Sequence, residues 1–209
     1  MTVPDDPLPS FTTLAAPGAG EIKVQRSRFV AEAHPVSRRE DVDAVVDKMA
    51  SRYHDSRHVC RGWRLGYDES VTEGRSDGGE PAGTAGEPIL AAIRRAGVTD
   101  TAVGVVRYFG GVKLGTGGLG RAYREAAATA LNTAPRREVL LGRTFNLVFG
   151  YESIGSVEHL LAQYAGRVES SAFTDDVAWT IWLPEDRWED FARALKTLTH
   201  DRIKMRAPE

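Results

Sequence analysis

Between Glu21 and His34, Ile22, Val24, Phe29 and Val30 alternate imperfectly with charged and small residues, which predicts a bent or bulged strand. Ser37 with Glu40 three residues on forms a capping box. Val42, Val45, Val46 and Met49 follow at helical spacing, so a helix is expected to end near Tyr53. His58 to Gly66 reads as a second strand. From Tyr67 to Gly86 no apolar period is visible, and a loop of that length inside a compact domain is usually a lid, a binding loop or disordered. Pro88 suits a first helical turn, Ile89 to Ala96 continue it and Gly97 stops it. Thr101 to Phe109 has the apolar content of a buried strand. A second glycine-rich loop leads into a helix over Leu119 to Thr133, with Ala122, Ala126, Ala127, Ala130 and Leu131 on one packed face and Pro135 beyond its end.

Downstream the alternation is cleaner. Strands are expected at Thr144 to Tyr151, Arg167 to Phe173, Val177 to Leu183 and Arg202 to Arg206, with helices at Ile154 to Tyr164 and Arg187 to Leu198. That is the βαββαβ order of a ferredoxin-like domain. Residues 1–20 carry Pro4, Pro7, Pro9 and Pro17 and no basic residue, so they read as a flexible leader lacking the charged start of a secretory signal. The expected organisation is a leader over 1–20, a first domain over 21–135 and a second over 143–209, an α+β protein.

Composition then narrows the function classes. The 209 residues are 42% hydrophobic and carry 27 Lys and Arg against 29 Asp and Glu, a net charge of -2, with neither half basic. The global footprint of a dedicated nucleic-acid binder is therefore missing, and any basic site must be local. One cysteine, Cys60, excludes an internal disulfide framework and a multi-cysteine zinc site, and suits a reducing compartment. No apolar run approaches the roughly 20 residues of a membrane span. A cytoplasmic protein is expected, with no membrane partner, cofactor or metal.

Thirteen of the 21 glycines fall between Gly74 and Gly120, and this clustering makes glycine the informative residue. The two loops, Gly74 to Gly86 and Gly110 to Gly120, each precede a helix. Flexible backbone at a helix N-terminus presents unpaired N–H groups to an anion, so each loop is a candidate phosphate cradle; the competing reading is tight turns and close helix packing. Gly115 to Gly120 fits G-x-G-x-x-G, but the strand ends too early and no acid is placed for a ribose, and a nucleotide P-loop fails for want of Lys followed by Ser or Thr.

Arg57, Arg61, Arg64, Arg107, Lys113, Arg121 and Arg124 form a local basic set around these loops. In one reading Arg57, His58, Gly83, Thr84, Gly86, Arg107, Gly110, Gly111, Lys113, Gly115, Thr116, Gly117, Gly118 and Arg121 hold the phosphates of RNA or the ribosome, while Trp63, Tyr108 or Phe109 stack on bases. Against it, Arg107 pairs with Asp77 or Glu80 and the aromatic residues are core. The alternative function is an enzyme or binding protein for a small phosphorylated or anionic ligand between the loops, with Asp77 and Glu80 as acid or base. A binding role is favoured over turnover. A third reading makes the tail, with Trp179, Trp182 and Trp188, a docking module for a translation factor. His58 and Cys60 face one side of a strand, where packing outweighs a thiolate or metal role.

The run Ser76-Asp-Gly-Gly-Glu-Pro-Ala-Gly-Thr-Ala-Gly86, the following Glu87-Pro-Ile-Leu90, Val105 to Leu119, Arg57-His58-x-Cys60 and Arg121-Ala-Tyr123 together resemble the IMPACT/YigZ family. Two positions depart from it: Gly78 stands where the family usually has a second Asp, and Glu87 replaces a common Lys. The resemblance implies a first domain with the fold shared by a small-subunit ribosomal protein, elongation factor G and GHMP kinases. It also implies a second domain like an elongation-factor module, and a role connected with translation.

Overall fold

In the computed structural model, residues 6–56 and 59–208 are described, and the chain divides into two compact units, Phe11–Val139 and the chain from Leu140 onward together with the segment up to Ser10. Both mix helices with antiparallel strands. In the larger unit, β1 (Ser10–Leu14), β2 (Gly18–Val24), β3 (Ser27–Pro35), α1 (Arg39–Arg52), β4 (Val59–Leu65), β5 (Thr72–Ser76), α2 (Gly86–Ala96), β6 (Thr101–Tyr108), α3 (Gly115–Thr133) and β7 (Arg136–Leu140) follow in order. Five strands make one antiparallel sheet, β2-β3-β6-β4-β5, and β1 pairs with β7. Inserting β6 between β3 and β4 leaves those two strands parallel, linked by the crossover helix α1.

The two-residue period of the strands divides the core between two faces. Phe29, Ala31 and Ala33 of β3, with Cys60, Val103 and Val105, pack against Ile89 and Ile93 of α2 and the alanine face of α3. Val30, Ala102 and Val106 turn the other way, onto Val42, Val45 and Met49 of α1. The face expected for the third helix is the one buried: Ala122, Ala126, Ala127, Ala130 and Leu131 are all 2% exposed or less.

In the larger unit the structure changes four sequence expectations. The flexible leader over 1–20 is corrected where residues are described: Ser10–Leu14 and Gly18–Val24 are strands, and Leu14 is 1% exposed. The small residues before Glu21 look like a linker because their side chains vanish at a close contact. A Cβ on Gly18 would lie 2.3 Å from the carbonyl oxygen of Ala130. At α1 the capping carboxylate is Asp41, not Glu40, accepting N–H from Ser37 at 3.0 Å and Arg38 at 3.2 Å. Within the long loop, Thr72–Ser76 pairs with β4. Finally, α3 starts at Gly115, four residues before the expected Leu119, because Gly118 and Gly120 are tolerated inside the helix.

The smaller unit comprises β8 (Gly142–Phe149), α4 (Ile154–Gln163), β9 (Arg167–Phe173), β10 (Val177–Pro184) and α5 (Trp188–Leu198). Its sheet order is β8-β10-β9. The strand expected over Arg202–Arg206 is reduced to a single bridge from Arg206 to Asn146. Leu147, Ile181, Leu183 and Phe191 form its core, with Trp179 at 7% exposure and Trp188 packed at the edge.

Candidate functional site

Asp77 directly follows β5 and turns back on the loop after it. Its carboxylate accepts N–H from Gly83 at 2.8 Å, Ala85 at 2.9 Å and Gly86 at 2.8 Å. Burial by itself would raise the Asp77 pKa, but the three N–H groups outweigh it and hold the carboxyl below its ordinary value. Helix α2 thus has its anion already, supplied by the chain. Gly83 and Gly86, expected to face a phosphate, give their N–H groups to Asp77, and the Thr84 hydroxyl donates to the Pro81 carbonyl at 2.7 Å. Gly78 has φ +57°, and a Cβ there would sit 2.5 Å from the Val59 carbonyl oxygen, so an Asp at this position would require β4 to shift.

Glu80, on the same loop, is held in the layer beneath. Its carboxylate accepts from Arg107 at 3.0 Å and from the Tyr123 hydroxyl at 2.9 Å, in a pair only 12% and 13% exposed. The Arg107 guanidinium also lies over the rings of Phe29 and Phe109. Cys60 lies alongside, its thiol donating to the Asp77 carbonyl at 2.9 Å. Burial pushes that thiol up to about 12, and burial likewise raises Tyr123 above its usual range. The loop, the end of β6 and the third turn of α3 are therefore tied by a polar cluster. Arg107 supports the loop rather than facing solvent as an expected phosphate ligand.

At the second loop the arrangement is open. Gly110 approaches the backbone of Arg26 so closely that a Cβ would lie 2.1 Å away, and its N–H donates to Ser27 Oγ at 3.2 Å. Ser27 is fully buried and also faces Arg107. Sequence reasoning missed it, since a serine in a hairpin turn carries no signal of its own. Gly111 and Gly115 take φ +85° and +68° with nothing near their Cβ positions. No side chain caps α3 among the described residues, so the first-turn N–H groups of Gly115, Thr116 and Gly117 face outward beside the exposed Lys113. Arg121 is exposed one turn further on.

The rest of the basic set is mostly committed elsewhere. Arg61 pairs with Asp43 at 3.8 Å and Arg64 with Glu73 at 2.6 Å. Glu87 pairs with Arg75 and Arg94 at the head of α2. Tyr108 donates to Asp55, Trp63 lies under Arg39, and Phe109 is 60% exposed. Arg57 and His58 lie outside the described residues. No helix among the described residues is long and apolar enough to cross a membrane.

Comparison with known proteins follows the same division of the chain. The Impact N-terminal domain matches residues 25–131, and a domain of unknown function, DUF1949, matches residues 147–202. Escherichia coli (strain K12) IMPACT family member YigZ is 32% identical over 201 residues, covering 96% of this chain and 98% of its own length. A Thermus thermophilus IMPACT family member is 36% identical over 181 residues, covering 86% and 97%. A crystal structure described as a hypothetical protein overlaps with a TM-score of 0.67 at 32% identity, covering 96% of this chain and 98% of its own.

Proposed function

Because this chain belongs to the IMPACT family, we propose that it is a cytoplasmic, translation-associated binding protein that holds RNA or ribosomal phosphates at the Gly110 to Gly120 loop. The observation that carries this reading is the uncapped, glycine-built start of α3 beside Lys113 and Arg121. Oriented N–H groups, the helix dipole and two exposed cations converge there, and such a combination favours a phosphate. The reading is narrower than the sequence expectation. Of the two glycine loops, one carries its own carboxylate and the other carries none. The larger unit then corresponds to the fold shared with the ribosomal protein and elongation factor G, and the smaller to a ferredoxin-like module with a shortened last strand, available to a translation-factor partner.

The small-ligand alternative is weakened by the same geometry. An acid–base pair needs groups free to exchange protons, and Asp77 is held by three N–H groups while Glu80 is held by Arg107 and Tyr123. Co-sedimentation with ribosomes at low and moderate salt tests the proposal. Wild type should bind in a salt-sensitive way, and Lys113→Ala should reduce the logarithmic salt slope by about 0.7 to 0.9, the contribution of one phosphate contact. Binding that is indifferent to salt and to Lys113 would refute it.

A further inference from the structure

We infer that the trough between α2 and α3 binds the sugar–phosphate backbone of single-stranded RNA, an inference that rests on the function proposed above and assigns it a second contact surface. The trough encloses about 580 Å³, with Ala92, Ala96 and Ala128 among the small residues lining it and Arg95, Arg121, Arg124 and Arg136 as its cations. Three elements supply these arginines: the last turn of α2, the outer stripe of α3 and the start of β7. Only Arg121 and Arg124 are close enough in sequence to be seen as neighbours, at helical i, i+3 spacing.

Charge accounting singles the trough out. Most other arginines in this unit are paired, among them Arg64 and Arg94 with Glu73, Arg75 with Glu87 and Arg107 with Glu80. Around the trough Arg95, Arg121 and Arg124 have no carboxylate partner among the described residues, and Arg136 donates to the Ala96 carbonyl at 3.0 Å. Glu125 is the lone acid in the lining. Four cations around one concavity repel each other until an anion enters, and guanidinium forks match phosphate oxygens two at a time.

The lining discriminates between occupants. A docked peptide helix is read by large apolar anchors at i and i+4, and the alanines here give them no deep slots. A backbone of spaced phosphates needs no such slots. The stripe from Arg121 to Asn132 runs roughly 16 Å at the helical rise, enough for more than one phosphate. Arg121 is shared with the open start of α3, so a strand leaving that loop enters the trough directly.

The test is anisotropy of a labelled oligouridylate with the full chain across a salt series. Wild type should give a logarithmic salt slope near -3, for about four phosphates on a single strand. The Arg95→Ala, Arg124→Ala pair should flatten the slope by about 1.4. Arg124→Lys, which keeps the charge and removes the fork, should keep the slope and weaken binding, and melting curves for each variant exclude unfolding as the cause. An unchanged slope in the Arg95→Ala, Arg124→Ala pair, with Lys113→Ala weakened, overturns the trough alone and leaves the proposed function standing. So does ribosome binding without oligouridylate binding. If wild type binds neither, both fail. Competition by polyglutamate or by uridine monophosphate as strong per charge as by the oligomer also overturns it, in favour of an acidic protein segment or a small ligand.

Discussion

Asp77 satisfies three backbone N–H groups at one helix start, so Asp77→Ala should destabilise the larger unit by about 2 kcal/mol, the upper end for a capping side chain. Its pKa is lowered in the folded protein, so the unfolded chain takes up the proton first as pH falls. The stabilisation is therefore complete above the ordinary carboxylate value near 3.8 and is lost as pH drops through the lower folded value. Acid titrations of wild type and Asp77→Asn should converge below that window. Arg107→Ala removes the partner of a largely buried carboxylate and should cost about 3 kcal/mol. Adding Glu80→Gln removes the stranded charge and should recover part of the loss, so a double-mutant cycle by chemical denaturation measures the coupling. Cys60, buried and pushed up to about 12, should resist thiol reagents at neutral pH until the protein is unfolded. At this scale the sequence was legible in identity but not in direction. Asp77, Glu80 and Arg107 stood out beside glycines, yet which pointed at a ligand and which at the protein depended on hydrogen bonds between residues as far apart as Glu80 and Tyr123.

Among the elements, the strands and helices carrying strong period-2 or period-3.6 patterns were readable, and those built from small residues were not. The contact of α3 with β2 explains why. Alanines on the helix face glycines on the strand, which brings the backbones together where a hydrophobicity pattern has nothing to register. Gly18→Val should therefore destabilise the protein by about 2 kcal/mol through overpacking, read as a fall in thermal midpoint, while Gly111→Ala, with open space but positive φ, should cost about 1 kcal/mol. The second glycine loop was recognised from the sequence as lying before a helix, but its last six residues belong to the helix itself. Glycine is a poor helix former, and the tertiary packing of Leu119, Ala122 and Tyr123 overrides that preference.

For the whole molecule, the division into two units could be seen in the change of pattern near Gly142, but the membership of the first residues could not. Pro9 and its neighbours read as leader because prolines interrupt any period. In the structure the Pro9 carbonyl accepts the Leu141 N–H at 2.7 Å, and the Asp6 carbonyl accepts from Arg187, which is 8% exposed. Deleting residues 1–9 should leave amide exchange in the five-stranded sheet unchanged and accelerate it at Leu141.

Those two hydrogen bonds also impose an order in time. Asp6 and Pro9 leave the ribosome well before Arg187, which lies 181 positions after Asp6. The larger unit can close while synthesis continues, but the smaller must wait until Arg187 has followed Asp6 out. A chain truncated before Arg187 would therefore leave the Asp6 carbonyl without that donor, so closure of the smaller unit reports that synthesis has passed Arg187.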